Sequence, residues 1–123
     1  MRAKKELPRP TLSAILEGWK PIKAALKAFS ERFDRPIFFT EVGYTTFADT
    51  AYHPWMWQSQ SERPIDPSQQ ALCYRALFET FAGEPWWKGA CMWRFYTDPS
   101  KVEAWNYSPQ GHEAEKILRQ AYR

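Results

Sequence analysis

The sequence predicts an α/β fold built from parallel strand–helix units. Two stretches, "RPIFFTEVGY" (residues 35–44) and "KGACMWRFYTDP" (residues 88–99), are rich in β-branched or aromatic residues and are punctuated by Gly and Pro, as strands are. Segments around them carry apolar residues at spacings of three and four, the mark of amphipathic helices. The two kinds alternate as helix, strand, long loop, helix, strand, loop, helix, which is the order of βαβ units.

The first helix is "TLSAILEGWKPIKAALKAFSERFDRP", where Leu12, Ile15, Leu16, Trp19, Ile22, Leu26, Phe29 and Phe33 form one apolar stripe. Pro21 interrupts it and predicts a kink or a break near residues 19–20. Pro36 then opens a strand over residues 37–42. Residues 43–66 show no sustained period, and so long a loop inside one domain tends to be functional. In "DPSQQALCYRALFETFAG", Asp66 is placed as N-cap, Pro67 in the first turn and Gln69 where a capping box needs it. Its apolar face runs through Leu72, Ala76, Leu77 and Phe81 to a stop at Gly83. A second strand is bounded by Gly89 and Pro99. In "SPQGHEAEKILRQAYR", Ser108 reads as N-cap of a last helix with Ala114, Ile117, Leu118, Ala121 and Tyr122 on one face.

Length and composition narrow the function classes. At 123 residues the chain holds one modest domain, preceded by a flexible segment over residues 1–10. A net charge of +3, with scattered basic residues, argues for neither nucleic acid nor an anionic membrane. No apolar run approaches the ~20 residues of a membrane span. "MRAKKELPRP" leads into no apolar core of a signal peptide, so the chain as it stands reads as cytoplasmic. Cys73 and Cys91 lack metal-type spacing and read as two buried, reduced thiols. "HEAEK" is not a zinc motif, since Lys116 stands where the second histidine would be; His112 reads as an exposed helix residue, and no metal or cofactor is expected. The anomaly is aromatic content: seven Trp, six Tyr and eight Phe point to a heavy core, a sugar-stacking surface, or both.

Two parallel strands do not make a self-sufficient sheet, because parallel strands are normally covered on both faces and paired on both sides. The chain therefore reads as one end of a larger α/β fold. Strand alternation sets Ile37, Phe39 and Glu41 on one face and Phe38, Thr40 and Val42 on the other. In a (β/α)8 barrel the first set would face the interior, and Glu41 would stand at the carboxyl end of its strand, where barrel active sites lie. The plain alternative is a structural Glu41 that caps a helix or pairs with Arg94.

"RPIFFTEVGY", the Trp-bearing loop, "ALCYRALFETFAGEPWWKGACMWRFY" and "YSPQGHEAEKILRQAY" resemble the final third of a clan A glycoside hydrolase, closest to family 113, the β-mannanase-like barrels. The resemblance covers residues 12–122, with "TEVGY" and "MWRFY" as its specific parts. It implies that the two strands are strands seven and eight of a TIM barrel that is incomplete as given. It implies further that Glu41 is the nucleophile of a retaining β-glycosidase, and that Trp93 is the platform under the sugar. Such a nucleophile must be ionised and needs nearby donors, for which Tyr44 and Arg94 are candidates. Flat rings complement the C–H faces of sugars, and Trp55, Trp57, Tyr96 and Trp105 lie in the two loops that would rim the cleft. Trp19, Trp86 and Trp87 read instead as packing residues.

Nothing in the chain corresponds to strand four, where the family carries its acid/base. Asp49, Glu62, Asp98 and Glu103 lie in the right loops, but no motif selects one. The expectation is a fragment acting on oligo- or polysaccharide, inactive alone, which needs the missing N-terminal barrel portion or associates with itself. The alternatives are a non-catalytic carbohydrate-binding or vestigial barrel fragment, and an unrelated α/β module with a structural Glu41.

Overall fold

A computed structural model describes residues 8–56 and 63–123. Three α-helices, α1 (Leu12–Phe33), α2 (Pro67–Phe81) and α3 (Glu113–Ala121), accompany two strands, β1 (Ile37–Val42) and β2 (Trp87–Met92), and one short 3₁₀ turn at Pro99–Lys101. The strands pair in parallel as a two-stranded sheet. Helix α2 lies between α1 and α3.

α1 starts where the Thr11 hydroxyl accepts from the Ala14 N–H at 3.2 Å, and ends at Asp34 in the left-handed region, φ 49°. It runs unbroken through Pro21, so the expected break does not occur. Proline leaves the Glu17 carbonyl without its helical donor, and both residues are exposed, so water can take the place of that bond. The apolar stripe is only partly covered. Trp19 and Leu26 pack on the core, whereas Ile22, Phe29 and Phe33 are exposed.

α2 is capped as the sequence predicts, with the Asp66 carboxylate accepting from the Ser68 N–H at 3.1 Å. The capping box does not form, because the buried Gln69 Oε1 has no hydrogen-bond partner. α2 supplies the core: Ala71, Tyr74, Leu77 and Phe81 are buried against Ala114 and Leu118 of α3. Phe81 is the hub. Its ring meets Trp19 edge-on at 5.2 Å, Phe39 edge-on at 5.1 Å and Trp87 in a stack at 5.8 Å. Trp19, Trp86 and Trp87 thus act in packing, as expected.

The strand register departs from simple alternation. Ile37 pairs with Trp87, Phe39 with Ala90, and Val42 with Met92. β2 therefore carries an extra residue before Ala90, at Gly89 with φ 122°, and β1 carries one between Phe39 and Val42. Phe39 and Val42 consequently both pack on the helical core, while Thr40 and Glu41 are both exposed. The expected facing is corrected here. The face of Phe39 is the helix side, and without the bulge Glu41 would share it.

Three further expectations change. β2 begins at Trp87, before Gly89, and ends at Met92, so Trp93 lies just beyond the strand. Cys73 is buried but Cys91 is exposed. Ser108 is not an N-cap: Gly111, at φ 76°, interrupts the path, and α3 starts after the half-buried His112. Ser108 instead joins a buried turn, its hydroxyl donating to Gln110 Oε1 at 2.8 Å and its N–H to Asn106 Oδ1 at 3.0 Å. Of the N-terminal segment, Pro8 and Arg9 are held in place. The Tyr52 hydroxyl donates to the Pro8 carbonyl at 3.0 Å, and Arg9 pairs with Asp66 at 2.9 Å.

Candidate active site

Both strands end at the same level, where the Trp93 N–H donates to the Val42 carbonyl at 2.6 Å. Two loops rise from that lip, residues 43–56 and 63–66 of the segment after β1 and residues 93–112 after β2, and they are laced together by buried polar groups. The Thr46 N–H donates to the Asn106 carbonyl at 3.0 Å, the Thr46 hydroxyl donates to the Ala104 carbonyl at 2.7 Å, and the Asn106 N–H returns to the Thr46 hydroxyl at 3.0 Å. From α2, buried Gln70 sends Nε2 to the carbonyls of Tyr44, Tyr107 and Ser108 at 3.0, 3.2 and 3.3 Å. Buried carbonyls demand donors, and the two N–H groups of this one amide are shared among three of them. Phe47 stacks on Trp105 with centroids 5.9 Å apart, and the Arg63 guanidinium lies 3.8 Å from the Phe47 centroid.

Between the loops lies an open cleft of about 770 Å³. Glu41, Gly43, Trp55, Trp93, Arg94, Tyr96, Glu103, Trp105 and Tyr107 are on its walls. Glu41 makes no hydrogen bond or ion pair with the described residues, so the structural alternative of a Glu41–Arg94 pair is not formed. Trp93, 46% exposed, and Trp55, 67% exposed, offer uncovered indole surface to the cleft. Tyr96 is on the wall as well. Trp57 and Glu62 lie outside the described residues.

Tyr44 is the site residue that the structure moves elsewhere. Its ring packs edge-on against Tyr74 at 5.2 Å, and it is not on the cleft wall. Burial, aided by nearby Cys73 and Tyr74, pushes its phenol well above the usual tyrosine range. The chain turns at Gly43, so the residue after it faces the helices. The aromatic hydroxyl near Glu41 belongs to Tyr107. Desolvation raises that phenol, the Arg63 charge lowers it and the Glu41 charge raises it. Its hydroxyl donates to the Pro54 carbonyl at 2.8 Å. Sequence spacing gave no sign of Tyr107, because the contact spans two loops.

Arg94 faces the cleft rather than the helices, because β2 has ended and alternation no longer applies. Its guanidinium donates to the Tyr96 hydroxyl through Nε at 2.8 Å and through Nη2 as well. Of the other acids in the loops, Asp49 pairs with Arg63 at 2.7 Å, and Asp98 caps the 3₁₀ turn by accepting from the Ser100 N–H at 3.0 Å. Only Glu103 shares the cleft with Glu41 among the described residues. No group of three or more His, Cys, Asp or Glu suited to a metal ion occurs among the described residues, and none of their helices is long and apolar enough to cross a membrane.

The sequence model of Glycoside Hydrolase Family 113 matches residues 9–109. Among solved structures, the fold matches a GH113 β-1,4-mannanase with TM-score 0.74 and 24% identity, covering 87% of this chain and 35% of that one. It also matches the GH113 β-mannanase AaManA from Alicyclobacillus acidocaldarius, in complex with ManMIm, with TM-score 0.73 and 26% identity, covering 89% of this chain and 37% of the other. The chain thus spans little more than a third of these structures. A comparison with curated proteins finds no match.

Proposed function

The chain belongs to glycoside hydrolase family 113, and on that premise we propose that it carries the nucleophile half of a retaining β-glycosidase acting on a β-mannan-like polysaccharide. β1 and β2 are taken as strands seven and eight of a (β/α)8 barrel. One observation carries the reading: the Glu41 carboxylate and the exposed Trp93 indole open into one cleft at the carboxyl ends of two paired parallel strands.

In this mechanism a Glu41 oxygen attacks the anomeric carbon as the bond to the leaving oxygen breaks, and water later cleaves the glycosyl–enzyme ester. Trp93 lies under the apolar face of the sugar and keeps water away from the reacting carbon. A retaining pair needs a second carboxyl about 5–5.5 Å from the first to protonate the leaving oxygen. On this reading that group stands on a strand with no counterpart here, and turnover would require the remaining barrel portion. The exposed side chains Phe38, Cys91 and Phe95, with the outer edges of β1 and β2, would receive that portion or a second copy.

A fluoride leaving group departs without protonation, so the nucleophile can be tested apart from the acid. The chain is incubated with 2-deoxy-2-fluoro-β-mannosyl fluoride, and its mass and peptides are mapped. The expected result is one adduct on Glu41, formed with loss of fluoride and absent in Glu41→Gln. No adduct, or an adduct that persists in Glu41→Gln, overturns the assignment. Saccharide binding without any adduct would favour the non-catalytic carbohydrate-binding fragment.

A further inference from the structure

Apart from Glu41 and Trp93, the cleft contains a second constructed corner, in the loop after β2. Tyr96 is fixed there from both ends. Its backbone N–H donates to Gln110 Oε1 at 2.7 Å, and its carbonyl accepts from Gln110 Nε2 at 2.9 Å. Gln110 is itself buried and anchored by Ser108. The Tyr96 hydroxyl accepts from Arg94 and, at 3.4 Å, from Asn106 Nδ2. The Arg94 guanidinium also sits 4.6 Å from the Tyr96 ring centroid. A long, exposed side chain is thereby held in one place, which lowers the entropy lost when it binds something else.

Arg94 has N–H groups to spare. A guanidinium carries five donors in a rigid fork. Two go to Tyr96, and Arg94 forms no ion pair among the described residues. What the fork takes is set by its surroundings. Glu41 and Glu103 stand on the same cleft walls, so among the described residues the cleft has two carboxylates against one guanidinium. That balance opposes an anionic ligand and leaves a neutral, oxygen-rich one.

On the saccharide reading above, we propose that Arg94, held by Tyr96, is a specificity-determining contact that donates to hydroxyl oxygens of a neutral sugar, with Glu103 on the same wall as acceptor. Tyr96 is the positioning residue. Its phenol is held below the usual tyrosine range chiefly by the Arg94 hydrogen bond and then by Asn106, in keeping with an acceptor facing a cation.

The test measures tryptophan fluorescence or calorimetric titration of the full chain with two probes, β-1,4-mannotriose and a β-linked trisaccharide bearing one uronic acid. Arg94→Met should weaken mannotriose binding at least tenfold, while Arg94→Lys should recover only part of the loss, because an ammonium lacks the fork. Tyr96→Phe keeps the ring and removes the acceptor, and should weaken binding about threefold with an unchanged melting temperature. Equal mannotriose affinity in wild type and Arg94→Met overturns this inference alone, as does a wild-type preference for the acidic trisaccharide. Absence of binding by wild type to either sugar overturns both this inference and the saccharide cleft, whatever the Glu41 adduct shows.

Discussion

A Cβ added at Gly43 would lie 2.8 Å from the Trp93 carbonyl oxygen and 3.4 Å from the Trp93 Cβ. The two strand ends are therefore in backbone contact at the point where Glu41 and Trp93 enter the cleft. Any side chain at residue 43 would push the proposed nucleophile and its platform apart.

Gly43→Ala should cost about 1–3 kcal/mol of stability by forcing backbone apart. Gly18→Ala is the control: nothing lies within 4 Å of its Cβ position. In the middle of α1 it should stabilise by about 0.5–1 kcal/mol. Urea denaturation of both variants checks the contrast, and equal effects would remove the close-approach explanation.

Trp93→Ala should weaken mannotriose binding about tenfold, equivalent to roughly 1.4 kcal/mol, within reach of one ring contact. The indole is half exposed and lies outside the helical core, so the melting temperature should hardly move. A large loss of stability without loss of binding would identify Trp93 as a packing residue.

Gln70 serves three carbonyls on two loops. Gln70→Ala should destabilise by about 1–3 kcal/mol. Hydrogen exchange should rise in residues 44–50 and 104–108 before it rises in α2. Uniform protection loss would mean that the loops do not depend on this amide.

The two thiols should behave differently. Burial pushes Cys73 from 9.0 up to about 12, whereas Cys91 is exposed. A thiol reagent at pH 8 should leave Cys73 unmodified in the native chain and modify both cysteines in urea. The sign for stability follows from proton counts. Between pH 9 and about 12 the unfolded thiol has lost its proton while the folded one keeps it, so stability falls as pH rises through that window. Below pH 9 this contribution is complete. Chemical denaturation across pH 8–11 reads the slope, and a stability that rises with pH there would contradict buried, neutral Cys73.

The chain alone should self-associate. Phe38, Phe95, Trp93 and the α1 residues Ile22, Phe29 and Phe33 are all exposed. An apolar side chain left in water forgoes about 1.5–3 kcal/mol against a native stability of only about 5–15 kcal/mol. Light scattering after gel filtration should find more than one copy per particle. A sharply melting monomer would contradict this.

Much of this was legible from the residues. The bounds of β1 follow from Pro36 and the glycine at 43, and the start of α2 from Asp66 and Pro67, because these residues act through their own backbone and need no partners. Glu41 at the carboxyl end of its strand and Trp19, Trp86 and Trp87 as packing residues were also within reach, since position along a strand or helix limits what a side chain can meet. Tyr44 and Tyr107 were not. One turns into the helices and the other crosses from the opposite loop, and neither depends on local pattern.

By itself, then, the sequence determined the order of helices and strands and put a carboxylate at a strand end, since these come from backbone preferences and apolar spacing along a few residues. Only the tertiary structure decided which way that carboxylate points. The bulge between Phe39 and Val42 exists because both residues pack on the helical core while their ladder partners, Ala90 and Met92, are only two apart. Register is a property of two strands and the helix beneath them, and no single stretch of chain encodes it.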